Sequence, residues 1–345
     1  MNLLRNIVAT IFAILFIGSA VLSLFVFNFD RSAFTAETYQ RAFAREDLYN
    51  KVPAMMADAI ISPGADQSLF PSMMRGMSKE AWEAFFRTLL PPETLKVMGD
   101  DVLNSTFAYL NMQTDSAQLN LAPLKISLAS DTGVQAVLSL LSTQPECTFI
   151  QIAQLTINLL SGGQIEFCNP PPDLYPVLTP VIQDQLEFMA AVVPDQVTII
   201  SAPLQNDPRQ RLKTVRLFMR LSPILPLAFL LALTIFAVRS LKSWLNWWGV
   251  SFFITGSIAF VMSLIGAPVF GTILERILVA RMPIYLPTIL LDYASDFASV
   301  MVQTLLYPVL WQGLIITFLG LGMALIAFIV GYLTTPKIPD VRLEA

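Results

Sequence analysis

Four long apolar stretches without charged side chains dominate the pattern of hydrophobic and polar positions. They run over residues 7–27, 221–238, 243–274 and 309–333. A helix of about 20 apolar residues crosses the roughly 30 Å of hydrocarbon in a bilayer. The pattern therefore predicts a mainly α integral membrane protein with about four transmembrane helices. These form an N-terminal helix in residues 1–28 and a three-helix membrane domain at 217–335, with an outer connection at 268–308 and a tail at 336–345.

The first apolar stretch could be an uncleaved signal anchor or a cleaved signal peptide. Arg5 precedes it, and small residues at 18–20 offer a cleavage site. The apolar run continues to Phe27, however, whereas the apolar region of a signal peptide is shorter and ends at its cleavage site. We therefore expect a signal anchor.

Residues 29–216 are numerous enough to fold as a domain with its own core. Apolar positions recur there mainly at helical spacing, so we expect a large helical domain. Ser78 is a suitable N-cap for one helix, and Pro92 is suited to begin the next. An earlier helix at 36–60 is expected to bend or break at Pro53.

Two short segments of this domain favour β-strands. Residues 164–167 follow two glycines, and residues 197–200 follow Pro194 and Asp195 and are rich in β-branched side chains. We expect the two segments to pair with each other in a small two-stranded β element.

Charged residues are few and unevenly distributed. They make up 13% of the 345 residues, which is about half of what a soluble domain carries. Residues 29–208 hold 20 acidic and 9 basic side chains, whereas residues 209–216 add four basic side chains and no acidic one. Nucleic-acid binding requires a basic surface, so the acidic domain argues against a nucleic-acid partner.

The basic residues near the ends of the spans predict the orientation of the chain. Two of them, Arg276 and Arg281, lie in the outer connection. Five flank the opposite ends of the spans: Arg5, Arg239, Lys242, Lys337 and Arg342. Five further basic residues lie at 209–220, at the end of the long segment, and long loops largely escape the positive-inside rule. With these discounted, the rule predicts a cell (inner or plasma) membrane protein with both termini in the cytoplasm and residues 29–216 outside.

The chain has two cysteines, Cys147 and Cys168, and both lie in the inserted domain. In an oxidising compartment they would form a disulfide, which would contribute about 3 kcal/mol by the chain-entropy estimate. The alternative is two unrelated buried thiols. The chain has no histidine, so the two cysteines cannot form a zinc site by themselves.

A basic segment links the inserted domain to the second span. In a continuous helix its spacing of four, three and four residues would place one set of side chains on one face: Arg209, Lys213, Arg216 and Arg220. This face could bind anionic lipid headgroups or an acidic partner. We favour the alternative, in which these side chains mark the boundary of the membrane and extend toward water.

Small residues recur on one face of the fourth span: Gly313, Thr317, Gly320, Ala324, Ala327 and Gly331. The third span has a similar series: Gly256, Ala259, Ser263 and Gly266. Small residues at this spacing let helix backbones approach closely in a membrane. We expect the third and fourth spans to pack on each other within one chain; homo-oligomerisation through the same face is the alternative.

The sequence lacks the residue sets of common enzymes and transporters. Without histidine no Ser-His-Asp or Cys-His arrangement can form, and no phosphate-binding or dinucleotide-binding glycine motif is present. Charged residues are missing from the apolar core of every span, where Gln312 is nearly the only strongly polar residue. We therefore predict no catalytic residue, no cofactor and no metal ligand.

Three pairs of carboxylates remain as possible chemistry: Glu80 with Glu83, Asp100 with Asp101, and Asp292 with Asp296. The last pair would share a helix face just outside the membrane and could hold a cation. A solvated helix surface is the simpler interpretation of each pair.

In its layout and in several short sequence segments, the whole chain resembles an uncharacterised group of bacterial multi-pass membrane proteins. The segments are Glu37-Thr38-Tyr39, Leu121-Ala122-Pro123-Leu124-Lys125, Gln144-Pro145-Glu146-Cys147, Cys168-Asn169-Pro170-Pro171, Met219-Arg220-Leu221-Ser222-Pro223 and Trp247-Trp248-Gly249. The resemblance implies a signal anchor, a helical extracytoplasmic domain and three C-terminal spans. It implies no activity, because none is established for that group.

Together these features favour an envelope protein that binds another component, rather than an enzyme. Its extracytoplasmic domain would recognise a protein, a lipid or another envelope component, and its C-terminal helices would anchor it in the lipid bilayer. Two alternatives remain: a membrane-surface enzyme of lipid or cell-wall metabolism that uses carboxylates, and a channel or transporter subunit.

Overall fold

The computed structural model describes residues 2–62, 77–154, 168–203, 205–281 and 288–334. Its helices are α1 (Asn2–Ala33), α2 (Ala36–Arg45), α3 (Leu48–Ile61), α4 (Lys79–Leu89), α5 (Pro92–Leu110), α6 (Ala122–Ala129), α7 (Asp131–Ser142), α8 (Tyr175–Val192), α9 (Pro208–Leu221), α10 (Ile224–Ala237), α11 (Leu241–Arg281) and α12 (Thr288–Thr334). The strands are β1 (Ser116–Asn120) and β2 (Gln196–Ser201). The mainly helical fold and the small sheet are therefore confirmed.

Four helical stretches are long and apolar enough to cross a membrane: Leu4–Ala33, Pro208–Ala237, Leu241–Ile273 and Tyr293–Tyr332. They agree in number and place with the four predicted spans. The chain forms two compact units. One unit, here called the membrane unit, comprises Met1–Thr35, Gln210–Ile273 and Met301–Ala345; the other, the inserted unit, comprises Ala36–Arg209 and Leu274–Val300.

The helices depart from the predicted layout in two places. The second span consists of α9 and α10, separated at Ser222 and Pro223, because proline lacks the N–H that would continue a helix. Helix α11 continues to Arg281 and α12 begins at Thr288, so most of the predicted connection at 268–308 is helical. Membrane helices can extend beyond the bilayer, and α11 and α12 both continue past the ends of their apolar stretches.

In the membrane unit, α1 packs on α10 through small side chains. Ala9, Ala13 and Ala20 of α1 are buried against Leu233 and Ala237 of α10. Where α1 carries larger residues, aromatic rings fill the space: the rings of Phe12 and Phe236 stack with their centroids 5.6 Å apart. Such small residues allow the backbones to approach, which favours helix association in lipid.

The inserted unit has apolar cores of its own. Trp82 and Phe86 of α4 pack against Ala57 of α3 and Leu140 of α7. The hydroxyl oxygen of Ser78 accepts a hydrogen bond from the backbone N–H of Ala81, so the predicted N-cap is confirmed.

The helix predicted at 36–60 is interrupted, but the interruption is not at Pro53. Pro53 lies inside α3, and the break between α2 and α3 falls at Asp47, whose φ of 52° is left-handed. Aspartate tolerates this conformation better than most residues. Its carboxylate also accepts a hydrogen bond from the side-chain amide of Asn50 at 2.6 Å.

The two-stranded sheet contains one of the two predicted segments. Strand β2 includes the predicted segment 197–200, but its partner is β1, in antiparallel register with a bulge opposite Ala117 and Gln118. The other predicted segment, 164–167, lies outside the described residues. The sequence of β1 gave no strand signal, because Ser-Ala-Gln-Leu-Asn has no β-branched side chain.

Candidate functional site

Helix α9, which carries the predicted basic face, begins at a defined cap. A carboxylate oxygen of Asp207 accepts a hydrogen bond from the backbone N–H of Arg209 at 2.9 Å, and Pro208 occupies the first helical position. This arrangement is typical of a helix start. The hydrogen bond from the Arg209 side chain to Asp207 holds the pKa of the Asp207 carboxyl below its usual value.

Arg209 is buried in the inserted unit. Its guanidinium donates hydrogen bonds to the carbonyl oxygens of Tyr109, at 3.2 Å, and Thr114, at 2.7 Å. It also lies over the Tyr109 ring, 4.3 Å from the centroid, and pairs with Asp207 at 2.7 Å. Arg209 therefore ties the start of α9 to the turn between α5 and β1.

Arg216 and Arg220 bind one buried carboxylate. The Nε atoms of Arg216 and Arg220 lie 2.7 and 2.8 Å from the two oxygens of Asp30, near the end of α1. The Asp30 side chain is only 5% exposed. The Arg216 guanidinium also lies over the Phe34 ring, 4.5 Å from its centroid. The cluster holds two positive charges and one negative charge.

The predicted basic face is therefore divided among different partners. Arg209 and Arg216 are buried and make contacts within the protein, whereas Lys213 and Arg220 are exposed. Asp30 was missed because it follows the predicted end of the first span, 186 residues before Arg216. Its position next to an apolar run was the only available signal in the sequence.

A second polar contact joins α1 to α12 in the membrane unit. The side-chain amide of Asn28 donates a hydrogen bond to Gln312 at 2.7 Å, and that of Gln312 donates to Asn28 at 3.2 Å. Asn28 is 3% exposed. Gln312 is a polar residue within the fourth predicted span, and its partner Asn28 lies just past the predicted end of the first span. The pair satisfies both amides in an apolar environment.

The small-residue face of α12 packs on α11. A Cβ atom added to Gly313 would lie 2.8 Å from the backbone nitrogen of Phe260, and one added to Gly320 would lie 2.7 Å from the carbonyl oxygen of Gly249. At these positions the two helices are in backbone contact. The expected packing of the third and fourth spans within one chain is thus present.

The other small residues of this face are also covered by neighbouring groups. Gly331 is covered by the side chain of Lys242, and Ala327 is 3% exposed. Thr317 and Ala324 lie against Gly256 and Gly249 of α11, respectively. The alternative was homo-oligomerisation through these same small residues. In the structure they make contacts within one chain.

Cys147 and Cys168 form a disulfide. Two backbone hydrogen bonds flank it, from Cys147 to the carbonyl of Asn169 at 3.0 Å and from Asn169 to the carbonyl of Pro145 at 2.8 Å. Cys168 is 3% exposed. The disulfide joins the segment after α7 to the segment before α8.

The carboxylate pairs of the inserted unit have partners of their own. Glu83 binds Arg87 at 2.8 Å, Asp100 accepts a hydrogen bond from the Tyr49 hydroxyl at 3.3 Å, and Asp101 accepts one from Asn120 at 3.2 Å.

Asp296, from the third predicted carboxylate pair, is exposed, whereas the side chain of Asp292 lies outside the described part of the structure. Among the described residues no group of three or more acidic, cysteine or histidine side chains is placed to hold a metal ion.

No protein-family model matches the chain, and no curated protein or solved structure matches it either. Its class is thus defined by its own fold: a mostly helical protein with four helices able to cross a membrane and an inserted unit closed by a disulfide.

Proposed function

We propose that the chain is a membrane-anchored envelope protein whose inserted unit binds a protein partner and catalyses no reaction. In this proposal the membrane is the cell (inner or plasma) membrane, both termini are cytoplasmic and the inserted unit is extracytoplasmic. The distribution of basic residues, five against two, supports this orientation. The disulfide agrees with an oxidising compartment.

The observation that carries the proposal is a set of exposed apolar side chains on α8 and β2, here called the α8–β2 surface. It consists of Phe188, Met189 and Val192 near the end of α8 and Val197, Ile199 and Ile200 on β2, each of which is at least 41% exposed. Strand β2 begins four residues after α8 ends, so the two groups are neighbours in the chain. Exposed apolar surface of this kind in a water-facing domain marks an interaction site.

The geometry of this α8–β2 surface is fixed by the turn between the two elements. The side chain of Asp195 pairs with Lys125, and the carbonyl oxygen of Asp195 accepts a hydrogen bond from the backbone N–H of Leu121 at 2.8 Å. Both contacts reach the start of α6. The turn that joins the two elements is therefore held against α6.

Strand β2 also suggests how a partner would bind. All six of its residues are exposed, and among the described residues its only strand partner is β1. An open strand edge can pair with an extended segment of another protein, and neighbouring apolar side chains then supply specificity. We therefore favour a protein partner over a lipid for this surface.

Photocrosslinking in cells tests the proposal. A benzophenone amino acid replaces Phe188, and as a matched control it replaces Val177, which is 62% exposed at the other end of α8. We expect a light-dependent protein adduct at position 188 that is absent at 177 and is lost in the double variant Val197→Asp, Ile199→Asp. Adducts only with lipid, or only with the protein itself, would contradict the proposal.

A further inference from the structure

An apolar groove lies in the membrane unit between α1, α9, α11 and α12. Its volume is about 400 Å³, and eight apolar side chains line it: Phe25, Val26, Phe29, Met219, Phe270, Val302, Leu305 and Leu306. All four helices contribute to stretches that can cross a membrane. The groove is therefore positioned to be in contact with the acyl chains of the bilayer.

The cluster of Asp30 with two arginines is next to lining residues of this groove along both α1 and α9. Asp30 follows Val26 by one helical turn on α1, and Arg220 is adjacent to Met219 on α9. One carboxylate faces two guanidinium groups, so the cluster keeps a net charge of about +1.

Arg220 is the member of the cluster that can bind an external group. Its side chain is 59% exposed, and its hydrogen bond to Asp30 uses only the Nε atom. Within the described part of the chain, the two terminal nitrogens of Arg220 have no hydrogen-bond partner. A guanidinium presents these N–H groups in a fork that fits the oxygens of a phosphate.

We propose that a phospholipid with a net anionic headgroup binds here, with its phosphate on the terminal nitrogens of Arg220 and one acyl chain in the groove. The charge of the cluster complements the headgroup, and the apolar lining complements the chain. A free phosphate would use only the arginine, whereas a lipid uses both parts of the site. Asp30 fixes the direction of the Arg220 side chain and so positions it for this contact.

Native mass spectrometry of the full-length protein tests the site. The protein is reconstituted in nanodiscs of phosphatidylcholine with phosphatidylglycerol, released, and scored for retained phosphatidylglycerol. We expect Arg220→Gln to lower retention about fivefold, the effect of one basic side chain at an anionic surface. Lys213→Gln, which removes an exposed charge from the same helix, is the matched control and should leave retention unchanged.

Two further variants separate the parts of the site. Leu305→Trp fills the groove and should reduce retention with Arg220 intact, whereas Tyr307→Trp, outside the groove, should not. Arg220→Lys keeps the charge without the fork and should retain an intermediate amount.

Three results would overturn the proposal: equal losses for Arg220→Gln and Lys213→Gln, full retention in Leu305→Trp, or complete displacement of the lipid by inorganic phosphate. Circular dichroism of each variant checks the fold. Arg220→Lys, which keeps a positive charge beside Asp30, remains a valid test if Arg220→Gln does not fold.

Discussion

The Nε atom of Arg216 lies 2.7 Å from a carboxylate oxygen of Asp30, and both side chains are at least 89% buried. The two residues belong to α9 and α1, which are far apart in sequence. Their contact joins the N-terminal helix of the membrane unit to the helix through which the chain returns from the inserted unit. A buried charge pair of this kind is costly to break, because the remaining partner stays buried without compensation.

Replacement of Asp30 should therefore destabilise the membrane unit. For Asp30→Asn we expect a loss of about 3 kcal/mol or more in the free energy of unfolding, measured by denaturation in detergent micelles. Asp58→Asn is the matched control, because its pair with Lys79 is more exposed and should contribute about 1 kcal/mol or less. If the two substitutions lowered the free energy of unfolding equally, the buried Asp30 cluster would not contribute more to stability than a surface ion pair.

Glycine substitutions on α12 should distinguish its two faces. In Gly320→Ala the new methyl group would lie 2.7 Å from the carbonyl oxygen of Gly249, so α11 and α12 must separate. We expect a loss of about 1–3 kcal/mol in stability. In Gly322→Ala no atom lies within 4 Å of the new methyl group, so stability should stay the same or rise by up to about 1 kcal/mol. A larger loss of stability in Gly322→Ala than in Gly320→Ala would contradict the packing of α11 on α12.

The amide pair of Asn28 and Gln312 should show positive coupling in a double-mutant cycle. Each single replacement by leucine leaves one amide of the pair without the other, whereas the double replacement leaves neither. Interhelical hydrogen bonds in membranes contribute about 0.6 kcal/mol on average and up to about 1.7 kcal/mol. We expect a coupling energy in that range from unfolding in micelles. Strictly additive losses would mean that the two amides do not interact.

Tyr49 should make the inserted unit sensitive to alkaline pH. Burial, together with the charge of Asp100 and the hydrogen bond to it, raises the pKa of Tyr49 to about 12, from about 10 in the unfolded chain. The folded state then holds its proton more strongly. This contribution to stability is fully present below about pH 10 and is lost as the pH rises toward 12.

Tyrosinate absorbance measures this shift directly. The difference between the titration curves of the native protein and of Tyr49→Phe should have its midpoint near pH 12. A midpoint near pH 10 would show that Tyr49 is neither buried nor close to Asp100. The stability of Tyr49→Phe should also fall less steeply between pH 10 and 12.

The sequence was informative where one local signal determines the structure. Apolar length located the four spans, and Ser78 located the start of α4. The contacts that depend on distant partners could not be predicted. Nothing in residues 116–120 indicates a strand, because pairing with β2 rather than intrinsic propensity determines it.

The basic face illustrates the same limit. Its helical spacing was evident, but spacing does not reveal which side chains are buried. Arg209 contacts the turn after α5, and Arg216 contacts Asp30. Both partners lie more than 90 residues away in sequence, so they become apparent only in three dimensions.

The proposed function requires an extracytoplasmic inserted unit closed by its disulfide, and labelling of the two cysteines tests both properties. Intact cells, or spheroplasts, are treated with a membrane-impermeant maleimide in mild denaturant, with and without an impermeant reductant. Cys168→Ser, which leaves Cys147 as the single thiol, serves as the control.

We expect labelling of the native protein only after reduction, and labelling of Cys168→Ser without reductant, both in sealed cells. If the native protein is labelled without reductant, and only after the membrane is permeabilised, its thiols are free and cytoplasmic. That result would invert the topology and contradict the proposed function.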